Sequence, residues 1–213
     1  MKTRIGLTAF LAVLLAASSQ SFGMGKSSKM HSSEMNPKIE LKLAMRVLWQ
    51  DHLNYTRNYI ISAVAELPDI DFVSKRLLKN QDDIGDAIIP FYGTQAGNKL
   101  TSLLREHIMI ATEVVKAAKG GDKKQLAIAQ EKWTANSKEM AVFLNNANQN
   151  WPQKELEKML QTHLDLATDE VVGRLTNDWA KDIKAYDEGH HHMLMYADML
   201  TEGIIMQFPA KFK

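Results

Sequence analysis

The sequence predicts an all-α protein, an antiparallel bundle of about six helices. Three observations predict it. Apolar residues recur at three- and four-residue spacing nearly everywhere, alternating β-branched runs bounded by turn residues are missing, and Pro and Gly cluster between the periodic stretches.

The chain has 213 residues and opens with Lys2 and Arg4, an apolar run from Ile5 to Ala17, and small or polar residues from Ser18 to Gly23. That order describes a secretory signal peptide over 1–23, because the apolar run is too short to span a bilayer. An exported protein, periplasmic or secreted, is expected, with no transmembrane span. Residues 24–36 are small, polar and aperiodic, which reads as a disordered mature N-terminus. Residues 37–213 suit one helical-bundle domain.

The first helix is expected from Ile39 to Leu67, stopped by Pro68, and the second from Phe72 to Ile89, broken by Pro90-Phe91-Tyr92-Gly93. A third runs from about Gln95 to Lys119 and ends at Gly120-Gly121. Asp122 followed by Gln125 is a capping-box signature for the fourth. An Asn-rich turn and Trp151-Pro152 precede the fifth, with Gly173 as its stop and Thr176 as the N-cap of the sixth.

The two halves align at a nearly constant offset. Trp49-x-x-His52 matches Trp133-x-x-Asn136, and Leu67-Pro68 matches Trp151-Pro152, both at 84 residues. Leu77-Leu78-x-x-Gln81-x-Asp83 matches Met159-Leu160-x-x-His163-x-Asp165 at 82, and His107 matches His190 at 83. The pattern predicts two three-helix repeats, about 37–120 and 121–207, related by a pseudo-two-fold axis.

Polar residues interrupt the apolar stripes at matching heights. His52 lies 16 residues before Pro68 and Gln81 13 after it, while His107 lies 13 before Gly120 and Asn136 15 after Gly121. In antiparallel neighbours these differences amount to about one helical turn or less. The counts for His163 and His190 agree more loosely, so all six side chains are expected in one mid-bundle layer.

Buried polar groups must satisfy one another, hold water or bind something else, because each one left unpaired costs about 1–3 kcal/mol. Neutral imidazoles from His52, His107, His163 and His190 would suit zinc, copper, nickel or iron. Asp83, Asp165 and Asp182, with Asp51 and Glu170, would serve as further ligands or orient the rings. Gln81 and Asn136 would assist, and Tyr55 and Tyr186, with Trp49 and Trp133, would line a small-ligand pocket beside the layer. The alternative is a closed polar network that fixes helix register, in a bundle that binds an organic ligand or a partner protein. His190-His191-His192-Met193-x-Met195, and Met24, Met30, His31 and Met35 in the leader, are donors that copper favours.

Other classes find little support. The chain has no Cys, which excludes disulfides and thiolate sites, and its net charge of +1 comes with no basic cluster interleaved with aromatics, which argues against nucleic acid. There is no G-x-S-x-G elbow, phosphate-gripping Gly loop or H-E-x-x-H helix, and Asp187-x-x-His190 alone falls short of a di-iron pattern. A non-enzymatic binding protein is expected.

Taken together, Asp51-His52, Asn80-Gln81-Asp82-Asp83-Ile84-Gly85, Pro90-Phe91-Tyr92-Gly93, Asn150-Trp151-Pro152, His163-x-Asp165 and Gln207-Phe208-Pro209 give a chain that resembles a family of uncharacterised bacterial exported helical proteins. The resemblance covers most of the mature sequence and implies an exported helical protein without an established activity. Members sometimes carry transferase-type names, such as glycosyltransferase or acylglutamate kinase. This sequence offers no nucleotide loop or α/β pattern to support them.

Overall fold

The computed structural model describes residues 36–213, so the expected leader and its methionines and His31 lie outside the described residues. Among these, all regular structure is helical: α1 (Pro37–Ala65), α2 (Ile70–Lys119), α3 (Lys123–Ala147), α4 (Gln153–Leu175), α5 (Trp179–Gln207) and a 3-10 turn, Pro209–Phe212. No helix among them is long and apolar enough to cross a membrane.

Local chemistry sets the ends. Asn36 caps α1 by accepting from the Lys38 N–H at 2.9 Å, and Glu66 closes it in the left-handed region, two residues ahead of Pro68. Asp122 caps α3 as expected, accepting from the N–H groups of Lys124 and Gln125. The cap of α5 differs from expectation. Asp178 takes that role through the Lys181 N–H, while the Thr176 hydroxyl donates back to Val172 O at the end of α4. Gly173 does not stop α4 either; it lies inside the helix, where a Cβ would meet the Asp182 backbone N at 2.7 Å.

Five helices form where six were expected. Helical turns run up to and on from the Pro90–Gly93 break, so α2 is one 50-residue element, but Gly93 (φ 82°, ψ 166°) is non-helical and the chain reverses there. In a straight helix Gly85 and Gly97 would stand about 18 Å apart. Instead a Cβ built on Gly97 would lie 2.8 Å from Gly85 O, and Arg105 reaches Asp82 at 2.9 Å. The 70–92 and 94–119 limbs are therefore an antiparallel pair.

The elements close a ring around one axis. α1 packs on α2 and α5, α3 packs on α2 and α4, and α4 packs on α5. Asn80 ties α2 to α1 by donating to Leu48 O at 3.0 Å, and the Arg46 guanidinium ties α1 to Asp198 of α5. Inside the ring, Met45, Ile84, Leu103, Leu156, Met193 and Ile204 are almost wholly excluded from water. Each such side chain stabilises the fold by about 1.5–3 kcal/mol. At one end Trp151 is fully buried, and Phe91, Tyr92, Phe208 and Phe212 stack over the core.

The close approach at Gly97 gives a direct check. Gly97→Val would drive new methyls into Ile89 and Gly85 O, and urea denaturation should show a loss of about 1–3 kcal/mol. Wild-type stability would show that the limbs are not held this closely.

Candidate functional site

Three helices each carry one histidine to the same point on the bundle axis: His52 from α1, His107 from the 94–119 limb of α2, and His163 from α4. The ring centroids of His52 and His163 are 5.4 Å apart, and those of His107 and His163 are 6.0 Å apart. All three rings are buried. The arrangement follows from the stripes, since each His occupies a core-facing position among Leu, Ile and Met neighbours.

The ring of His107 is fully bonded. The Trp133 indole N–H can only donate, so His107 Nε2 accepts from it at 3.1 Å, which leaves the proton on Nδ1 to be donated to Asn136 Oδ1 at 3.0 Å. Asn136 then donates through Nδ2 to Leu103 O at 3.2 Å. His52 differs. Its Nδ1 is buried without a partner, and so are Gln81 Oε1 and the Trp49 indole N–H close by. The Gln81 amide group is itself fixed, because its Nε2 donates to Leu77 O and Asn80 Oδ1.

Burial dominates the electrostatics of the layer. It pushes His52 down to about 4, opposed in part by Gln81. It pushes His107 down to about 3, with the neighbouring His52 adding to the effect and Asn136 opposing it. Burial also holds His163 well below the ordinary range, helped by His52, His107 and His192. At neutral pH all three are uncharged imidazoles, the form that ligates metals.

The rings separate two narrow cavities of about 20 Å³ each. His52, His107 and His163 line both. One cavity continues among Met45, Trp49, Met140, Met193 and Tyr196 toward Trp151; the other continues among Thr56, Tyr59, Trp133 and Thr168. Each has room for about one water-sized group. A larger surface groove of about 790 Å³ between the 94–119 limb and α3 has Asn136 on its wall, one hydrogen bond from His107.

Other residues expected at the site lie elsewhere. His190 is half-buried beside Tyr186 and lines neither cavity. Asp83 pairs with Lys79 at 2.6 Å, and Asp165 is exposed and accepts from Gln161. Asp182 is buried in an ion cluster in which Arg57 donates to both Glu170 and Asp182, and Arg174 lies 3.5 Å from Asp182. Within that cluster burial raises Glu170 to about 7, outweighing the attraction of Arg57, and Asp182 adds to the rise. Tyr55 and Tyr186 share a surface pocket with Arg57, where Tyr186 donates to Asn54 Oδ1 at 2.8 Å and Arg76 covers the Tyr55 ring.

Sequence reasoning missed two residues. His192, not His190, is the buried histidine of α5, and its Nε2–H donates to Met159 O at 2.8 Å. The buried face of α5 runs through Ala185, Gly189, His192 and Met193, which leaves Tyr186 and His190 half-buried at its edge. Arg57 was the other omission, and its signal was the need for a cation opposite the buried carboxylates Glu170 and Asp182.

Among the described residues, no group of three or more His, Asp or Glu side chains is placed to hold a metal ion. No protein-family model, curated protein or solved structure matches the chain.

Two outcomes follow from this geometry. Unfolded imidazoles take up protons near pH 6.5, but the buried rings do so only near 4 or below, so acid favours the unfolded chain throughout that window. Crossing it costs on the order of 3 kcal/mol for His52 alone. Burial pushes His107 and His163 in the same direction, so acid works against all three rings. Urea unfolding of the metal-free protein should show stability falling steadily from pH 6.5 toward 4; a flat profile would contradict the burial. Separately, Arg57→Met should cost about 3–5 kcal/mol by leaving Glu170 and Asp182 without their shared cation, measurable as a lowered midpoint at pH 7.5.

Proposed function

We propose that the protein is an exported binding protein that holds one transition-metal ion, zinc, copper, nickel or iron, at the centre of the bundle. His52 and His163 are the direct ligands. His107, held by Trp133 and Asn136, is the third imidazole that shapes the site, and Gln81, whose Oε1 has no partner, assists His52. Asp83, Asp165, Asp182 and His190 are left out of the ligand set, because each is engaged or placed elsewhere.

The observation that carries this reading is the His52–His163 pair. Two imidazoles on one ion, with metal–nitrogen bonds near 2.0–2.1 Å at trigonal or tetrahedral angles, place their ring centroids roughly 5–5.5 Å apart. The observed 5.4 Å falls in that range. The unpartnered His52 Nδ1 supports it, since such a nitrogen gains a bond on binding an ion.

A second reading is favoured by the saturated hydrogen bonds of His107 and His192: the layer fixes helix register, and the ligand is organic or a partner protein. The export reading rests on the leader sequence, and kinship with the exported bacterial helical proteins rests on the motifs quoted above. Duplication of a three-segment unit is supported by the fold-back at Gly93, which gives α1 and the two limbs of α2 the same segment count as α3, α4 and α5.

Elemental analysis of protein purified without a His tag decides between the two. Close to one equivalent of metal is expected, lost in His52→Ala/His163→Ala while circular dichroism still reports helix. Absence of metal, with no thermal shift on adding zinc or copper, would remove the metal reading. A His52→Leu/His163→Leu protein more stable than wild type would then point to the register role.

A further inference from the structure

Given that metal reading, on which this inference rests, we infer that the ion is monovalent copper, Cu(I), bound by His52, His163 and a thioether from the methionine-lined cavity.

The donor set points there first. Met45, Met140 and Met193 are each at most 2% exposed, and all three line the same cavity as the three imidazoles. With no Cys in the chain, thioether sulfur is the softest donor it possesses. Thioether and neutral imidazole together select Cu(I) over harder divalent ions, which prefer carboxylate, carbonyl or water. Two imidazoles and one sulfur also supply the low coordination number that a d¹⁰ monovalent ion accepts.

Charge points the same way. No Asp or Glu lines either cavity, so the ion would sit there without a counter-charge. The penalty for desolvating an ion grows with the square of its charge, so a dication would pay roughly four times the cost of a monocation of similar size. Carboxylates that could neutralise zinc are held off: Glu170 and Asp182 by Arg57, and Asp83 by Lys79.

The surface groove beside Asn136 carries the exposed thioether of Met109 and the Glu106 carboxylate, and Asn136 itself bonds to His107.

The test is competition on the full-length mature protein under anaerobic conditions, with bathocuproine disulfonate reporting free Cu(I) and a chromophoric chelator reporting free Zn(II). The protein is expected to withdraw one equivalent of Cu(I) and to leave zinc with its chelator. Met45→Leu/Met140→Leu/Met193→Leu nearly conserves core volume, and should weaken Cu(I) binding at least about tenfold while keeping the helical spectrum. Should that variant fail to fold, X-ray absorption of the Cu(I)-loaded wild type takes its place, with a sulfur neighbour expected beside nitrogen. One-to-one uptake of Zn(II) without Cu(I), unchanged Cu(I) affinity in the folded triple variant, or a nitrogen-only copper site would overturn the inference and leave a metal-binding protein standing. If neither ion binds, the metal reading falls with it.

Discussion

The bundle is organised around an expensive meeting. Three helices deliver His52, His107 and His163 to one point on an axis buried from bulk solvent. The cost is bearable only while the rings are uncharged, and burial itself keeps them so, by pushing proton uptake to about 4 and about 3 for the first two. Neutrality in turn allows rings this close to coexist without repulsion. Every helix that contributes a ring, and every helix that seals the layer, is bound by that condition.

The surroundings divide the task. Trp133, Asn136 and Leu103 form a relay of donors and acceptors that fixes both the tautomer and the orientation of His107. No comparable relay reaches His52 Nδ1, so the layer combines one saturated ring with one open one. Charge is kept at a distance. Arg57 gathers Glu170 and Asp182 into a buried ion cluster joining α1, α4 and α5, and that cluster contributes no lining to either cavity. The fold-back at Gly93 has a similar consequence, because it brings the 94–119 limb inward far enough for His107 to reach the axis. The aromatic end cap keeps water from the methionine-lined side, and Tyr92, its hydroxyl held between Asn148 and Gln207, is pushed up to about 12 by burial.

Much of this was legible in the sequence for physical reasons. A polar residue in an apolar helical stripe is costly enough to be informative, and His52, Gln81, His107, Asn136 and His163 were found in that way. What periodicity could not separate is two adjacent faces of one helix. On α5 the stripe through Tyr186 and His190 is as regular as the one through Gly189 and His192, and only the tertiary structure decides which of them is buried. The aspartates were misplaced for a different reason. Helical spacing could have paired Asp83 with Lys79 one turn before it, but not Asp182 with Arg57 and Arg174, which reach it from other helices. The break expected at Pro90–Gly93 is present as a reversal at Gly93, but helical turns abut it on both sides, so the second and third expected helices run together as one element, α2.

The protonation state of the three rings can be observed one nitrogen at a time. In ¹⁵N-labelled, metal-free protein, two-bond nitrogen–proton correlation spectra should keep His52, His107 and His163 neutral from pH 7.5 down to 5, with His107 locked as the Nδ1–H tautomer throughout. If any of the three titrates near 6.5, as a water-exposed imidazole does, the rings do not meet in a dry core, and the account built on them is wrong.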